Sequence, residues 1–239
     1  MIKHLTNPKV ACVAIVGVCV SLTFSSAADA KRPGGKHCYG GTCHRVLTLD
    51  ETQALVGKLR RLKASHYDDC RRDRFNPCGL TSSGEPFRAH APDNTASAIH
   101  PDGTVLLLRN PSNQLAAVVR VNNFGPFRGN RQLDVSRATA DRLGFAKQGV
   151  AALEVLVVQA PTPDEARYKR NRRYAPVPGF MGRADSIDSA FQRYADLTMR
   201  QRIARLDSIA CHISANRRAP RLGLMLAASA NPRQRLARG

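Results

Sequence analysis

The sequence predicts a mainly β fold: a small closed barrel with a short helix, followed by a basic extension that is partly helical and partly disordered. Three observations predict it. Residues 105–109 (VLLLR) and 115–121 (LAAVVRV) are two apolar runs joined by a turn, which reads as a hairpin. Residues 151–158 alternate, with Leu153, Val155 and Val157 against Ala152, Glu154 and Leu156. Residues 119–136 (VRVNNFGPFRGNRQLDVS) pass from strand through a Gly/Pro/Asn turn into a short strand and a helix start. A hairpin this apolar suits a sheet buried on both faces, and closure removes the edges that Val-rich strands would otherwise expose.

In chain order, residues 1–30 read as a secretory signal peptide. Lys3 and Lys9 form a basic start, residues 10–24 an apolar run too short for a comfortable membrane span, and Ala28-Asp29-Ala30 a small-x-small cleavage site before Lys31. Neither Cys12 nor Cys19 sits in a lipobox context, so no lipid anchor is expected and the destination is the periplasm or cell envelope. Of the 7 cysteines, Cys38, Cys43, Cys70, Cys78 and Cys211 follow the leader. In an oxidising compartment Cys38 with Cys43 and Cys70 with Cys78 close short loops, leaving Cys211 free or intermolecular. His37-Cys38 and Cys43-His44 lack standard zinc-finger spacing, and no metal or other cofactor is expected.

Residues 31–60 divide into an irregular Cys/Gly-rich arm and a short helix over 48–59. The barrel is expected over 61–160, opening on a strand at 60–67 and containing a helix at 137–143 that Ser136 caps and Gly144 ends. Residues 161–239 form a Pro-rich basic linker, an amphipathic helix over 186–210 and a disordered Arg-rich tail from Asn216. That helix is expected to dock on its own barrel, with an anionic membrane or wall polymer as the other partner for its basic face. The formal net charge of +19 would suit nucleic acid, but export directs it to envelope polyanions instead.

Two motifs carry a family resemblance. Thr81-Ser82-Ser83-Gly84-Glu85 is similar to a T-A-S-G-E pattern, and Val119-Arg120-Val121-Asn122-Asn123-Phe124-Gly125-Pro126-Phe127 with Leu133-Asp134-Val135-Ser136 is similar to V-R-V-N-D-R-G-P-F followed by I-D-L-S. Ala64-Ser65-His66-Tyr67, His100 and Gly103-Thr104 add to the match. In order and at near-family spacing over residues 63–158, these resemble the RlpA-like lytic transglycosylases. The resemblance implies a six-stranded double-psi β-barrel that cleaves the bond between N-acetylmuramic acid and N-acetylglucosamine without water, leaving a 1,6-anhydro end.

One departure is chemical. Asn123 stands where the family carries the aspartate expected to be catalytic, and an amide has no exchangeable acid near neutral pH. Asp134 lies in a motif similar to the aspartate motif of expansins and related barrel endoglucanases, where that residue is the acid. It becomes the expected proton donor, with Glu85 and His100 as catalytic partners. Asn123, Ser83 and Arg120 are the expected glycan contacts. Two functions stay open: a transglycosylase of altered activity, or a non-catalytic, expansin-like peptidoglycan binder. Both require positions 85, 100, 123 and 134 to line one trench.

Overall fold

The computed structural model describes residues 30–73 and 78–227. The expected signal peptide and the last residues of the tail lie outside the described residues, as does the side chain of Cys211.

The arm is a hairpin rather than an irregular coil. β1 (Lys36–Tyr39) pairs antiparallel with β2 (Thr42–Arg45), and Cys38 faces Cys43 in register and is bonded to it. Gly40 and Gly41, both at positive φ, make the two-residue turn that such a hairpin requires. The second disulfide joins Cys70 to Cys78. α1 (Leu49–Gln53) starts on a capping box between Thr48 and Glu51 and stops well before residue 59. Gly57 at φ 76° and a bridge from Val56 to Val157 turn the chain into the barrel there.

Six strands close the barrel: β3 (Leu59–Tyr67), β4 (Asn94–Ser97), β5 (Val105–Arg109), β6 (Leu115–Asn123), β7 (Leu133–Ser136) and β8 (Val150–Gln159). The hydrogen-bonded order is β4-β7-β3-β8-β5-β6, and β6 returns to pair with β4. β3 with β7 and β4 with β6 run parallel; the other neighbours run antiparallel. This is the six-stranded double-psi barrel that the motifs implied. Its interior is filled from alternate positions: Val119 and Val121, Leu133 and Val135, Leu153, Val155 and Val157, with Leu143 and Phe145 sealing one end. α2 (Arg137–Arg142) is capped by the Ser136 side chain, as expected.

β5 is buried along its whole length because its outer face is covered too. Val105 and Leu107 pack there with Val118 and Leu156 under β9 (Gly179–Arg183) and the start of α3 (Ile187–Ala227). β9 is a seventh strand that continues the sheet along Leu115–Val118 of β6. The expectation that the C-terminal helix docks on the barrel holds only for its first turns, where Ile187 and Ala190 are buried. From residue 199 to 210 every position is exposed. The helix also runs past Asn216, the expected start of disorder; Arg, Ala, Leu and Met, strong helix formers, dominate this stretch. Among the described residues no helix is long and apolar enough to cross a membrane.

Candidate functional site

The Thr81–Glu85 loop is a tight turn closed by Thr81 N–H to the Glu85 carbonyl at 2.8 Å, with Gly84 at φ +92°. It is held against the end of β6 by Ser83 N–H to the Asn122 carbonyl at 3.2 Å. Glu85 is buried, and its Oε2 accepts from Asn122 Nδ2 at 2.8 Å. Residues 164–175 cross over the loop: Lys169 N–H donates to the Ser83 carbonyl and Arg172 N–H to the Gly84 carbonyl, both at 3.1 Å. A Cβ on Gly84 would lie 2.1 Å from the Lys169 carbonyl oxygen, so the covering segment approaches as closely as only glycine permits.

Two expected glycan contacts are thereby used internally. Ser83 is fully buried, with its Oγ 3.1 Å from Thr81 Oγ. Arg120 is buried under the same segment, donating to the Gly103 and Ala175 carbonyls and pairing with Glu165 at 3.4 Å, its guanidinium stacked over Tyr174. Neither side chain faces open space. An alternating strand places residue 120 outside the barrel interior, but only the covering segment decides that the outer face is closed there.

Asn123 ends β6. Its Oδ1 accepts from Ser82 N–H at 3.2 Å, and Ser82 Oγ donates to Asp102 Oδ2 at 2.8 Å. The fully buried ammonium of Lys31 reaches into the same cluster. It pairs with Asp102 Oδ1 at 2.7 Å and donates to the Asn123 carbonyl at 3.0 Å and the Ser97 carbonyl at 3.3 Å. Burial holds the Lys31 ammonium below the usual lysine range, and Asp102 opposes that shift. The arm behind Lys31 covers the loop after Asn123. His37 stacks on Phe124 at 3.9 Å between ring centres, and Tyr39 on Phe127 at 4.9 Å. Cys38 and Cys43 are spent in the hairpin disulfide and can ligate nothing.

His100 is fully buried, with Nδ1 2.9 Å from Ser97 Oγ and Nε2 without a partner. Burial, with the positive charges of Lys31 and Arg60 adding to it, pushes its pKa down to about 3, so the ring is neutral at physiological pH. Asp134, on β7, is only half-buried and accepts from Ser65 Oγ at 2.8 Å. Burial pushes its carboxyl up to about 6, against the Ser65 hydrogen bond and the charges of Arg131 and His66. Tyr67 is raised above the usual phenol range by burial, with the charges of Asp134 and Asp93 and, more weakly, Glu85 adding to it. It packs against Phe87 at 5.2 Å, and Phe87 borders a cleft of about 450 Å³ lined also by Asp69, Arg88 and His90.

The four expected trench positions therefore gather around β4. Ala96 is in register with Asn123 on one side and with Asp134 on the other. Glu85 joins through Asn122, and His100 through Ser97. Two strand spacings, about 10 Å, separate Asn123 from Asp134, so Asp134 does not occupy the place of the missing carboxylate. Glu85 and His100 are sealed, so the four positions do not line one open trench as expected and neither of these two can touch a glycan directly; only Asn123 and Asp134 reach the surface. The sequence reading missed Lys31, Ser82 and Asp102. Two signals were available: Ser82 lies inside the Thr81–Glu85 motif, and Asp102 between His100 and Gly103-Thr104.

A family model described as "Lytic transglycolase" matches residues 60–155. "Endolytic peptidoglycan transglycosylase RlpA" of Neisseria meningitidis serogroup A is 40% identical over 75 residues, 31% of this chain and 31% of that protein. The protein of the same name from Rickettsia bellii is 33% identical over 140 residues, covering 50% of this chain and 62% of its own. The chain thus spans less than two thirds of these curated relatives. Among solved structures, "Streptomyces papain inhibitor (SPI)" superposes on 44% of this chain and 97% of its own at 20% identity, with a TM-score of 0.35.

Proposed function

Residues 60–155 form an RlpA-like double-psi β-barrel, and on that premise we propose that this chain is an exported cell-envelope protein acting on peptidoglycan glycan strands as an endolytic lytic transglycosylase. The observation that carries the reading is Asp134: a surface-reaching carboxyl on a barrel strand, raised to about 6, able to hold a proton and to release it. In the proposed reaction the Asp134 acid gives its proton to the glycosidic oxygen between N-acetylmuramic acid and N-acetylglucosamine. The carboxylate left behind takes the proton of the muramic C6 hydroxyl as that oxygen bonds to C1. A 1,6-anhydro end forms, no water is consumed, and Asp134 regains its proton. Asn123 binds a sugar hydroxyl or acetamide through its surface-reaching amide. Glu85 and His100, both sealed, position Asn122 and Ser97 and through them the walls beside β4. The basic C-terminal region adds attraction to anionic wall polymer.

One observation favours a second reading, in which the barrel binds glycan without cutting it, as expansin-like proteins do. Position 123 holds an amide whose oxygen is engaged by Ser82, and losing acid–base catalysis at a site costs a factor of roughly 10²–10⁴. The test is incubation of purified protein with denuded glycan strands, followed by mass spectrometry for anhydro-ended products. Products lost in Asp134→Asn support the first reading. Sacculus binding with no product at any protein concentration supports the second.

A further inference from the structure

α3 leaves the barrel after its first turns. Ile187 and Ala190 are buried, Phe191 and Tyr194 partly so, and from residue 199 to 210 every position is exposed. A helical length without tertiary support is marginal in water, since most helical stability comes from packing one face. This length nevertheless carries an apolar seam. Met199, Ile203, Leu206 and Ile213 are 58%, 52%, 66% and 51% exposed. Together with Ala210 they recur at alternating steps of four and three residues. That is the 3.5-residue repeat of a coiled coil, flanked at one g position by Ile209, which is 50% exposed.

The register says more. Ile203 and Ala210 fall at a, and Met199, Leu206 and Ile213 at d. Ile203 at a beside Leu206 at d is the combination that favours two parallel strands. Arg202 then falls at g and Asp207 at the following e, the positions that meet between the two chains of a parallel dimer. The neighbouring pairs of that kind, Ala195 with Arg200 and Ile209 with Ser214, oppose no like charges. The seam also lacks the Trp or Phe of a helix that lies in a lipid interface, and it has Asp207 at its edge. We infer that the 199–213 portion of α3 pairs with the same portion of a second copy of this chain, as a short parallel two-stranded coiled coil that carries two barrels.

The inference is independent of what the barrel does to glycan, and so is its test. Sedimentation velocity of the intact chain between about 1 and 200 μM reads the monomer–dimer equilibrium, because a two-heptad seam gives modest affinity. The expected result is a concentration-dependent dimer. Ile203→Glu and Leu206→Glu each weaken it at least about a hundredfold by placing a charge in the seam, without moving the barrel's unfolding midpoint. Arg202→Glu weakens it about fivefold, and adding Asp207→Arg restores it by exchanging the charges. A chain that stays monomeric throughout, or a dimer indifferent to the seam variants, overturns the inference. So does a monomer that binds anionic phospholipid vesicles and loses that binding in Leu206→Glu, which would assign the face to lipid.

Discussion

At Asp134, burial outweighs what Ser65 and Arg131 return, and the carboxyl titrates near about 6 instead of 3.8. The raised value makes the folded state hold this proton more tightly than the unfolded chain does. Below about 4 both states are protonated and nothing is lost. Between about 4 and about 6 the unfolded chain has lost this proton while the folded state still holds it, so stability falls across that window, by at most about 3 kcal/mol, and levels off above about 6. Asp134→Asn keeps an oxygen for the Ser65 hydroxyl and removes the charge. The variant is therefore expected to be more stable than the parent at pH 8 and equal to it at pH 4, as read from urea unfolding at both values, while forming no anhydro product. Lys31 and Asp102 show the opposite case, a buried charge that has its partner. Lys31→Met strands the Asp102 carboxylate and is expected to cost about 3–5 kcal/mol. Lys31→Met with Asp102→Asn recovers most of that loss in the same unfolding assay. A double variant no more stable than the single one would remove the ion pair from the account. The sequence marked Glu85, His100, Asn123 and Asp134 because each sits in a motif. Lys31 escaped notice because it meets Asn123 across a separation of 92 residues, and no local pattern announces such a meeting.

Among the elements, those with a hydrophobic signature were legible. The β5–β6 hairpin, β8 and α2 lie where alternation, turn residues and the Ser136 cap put them. β4 was not legible. Asn94-Thr95-Ala96-Ser97 is polar and small, yet all four residues are buried because β6 and β7 flank them on both sides. β9, with two glycines among its five residues after a Pro-rich run, reads as loop and becomes a strand only because β6 offers it an edge. The segment between β8 and β9 reads as a linker, but it closes the outer face over Ser83 and Arg120 and leaves both unavailable to a ligand. Gly84→Ala tests this closure. The new Cβ would meet the Lys169 carbonyl, and φ +92° is already strained for alanine. Because one contact is with backbone, residues 164–175 must move. The expected result is faster amide hydrogen exchange across 164–175 and a stability loss of at least about 2 kcal/mol, with the strands of the barrel still protected. Unchanged exchange in that segment would mean that it does not pack as closely as these contacts require.

For the molecule as a whole, charge and barrel are separable resources. The formal net charge of +19 arises from 37 Lys and Arg against 18 Asp and Glu. Of the arginines, Arg109, Arg120 and Arg172 are buried and partnered within the fold, so they are not available to a ligand. Arg200, Arg202 and Arg205 stand exposed on the free part of α3. Attraction between such exposed charges and a polyanionic wall is screened over a Debye length of about 10 Å at 0.1 M salt and about 3 Å at 1 M. The proposed short-range recognition of a sugar by Asn123 and Asp134 would be screened far less. Binding to isolated sacculi is therefore expected to fall at least roughly tenfold between about 50 and 500 mM NaCl. Arg200→Gln with Arg205→Gln flattens that dependence, and Asp134→Asn leaves it unchanged. Product formation from soluble glycan strands stripped of peptide, which bring fewer charges, varies much less over the same range. Co-sedimentation at several salt concentrations, run beside the mass-spectrometric assay, measures both. If sacculus binding proved indifferent to salt, affinity would have to come from the barrel surface alone, and the basic helix would be left with only the self-pairing inferred for it.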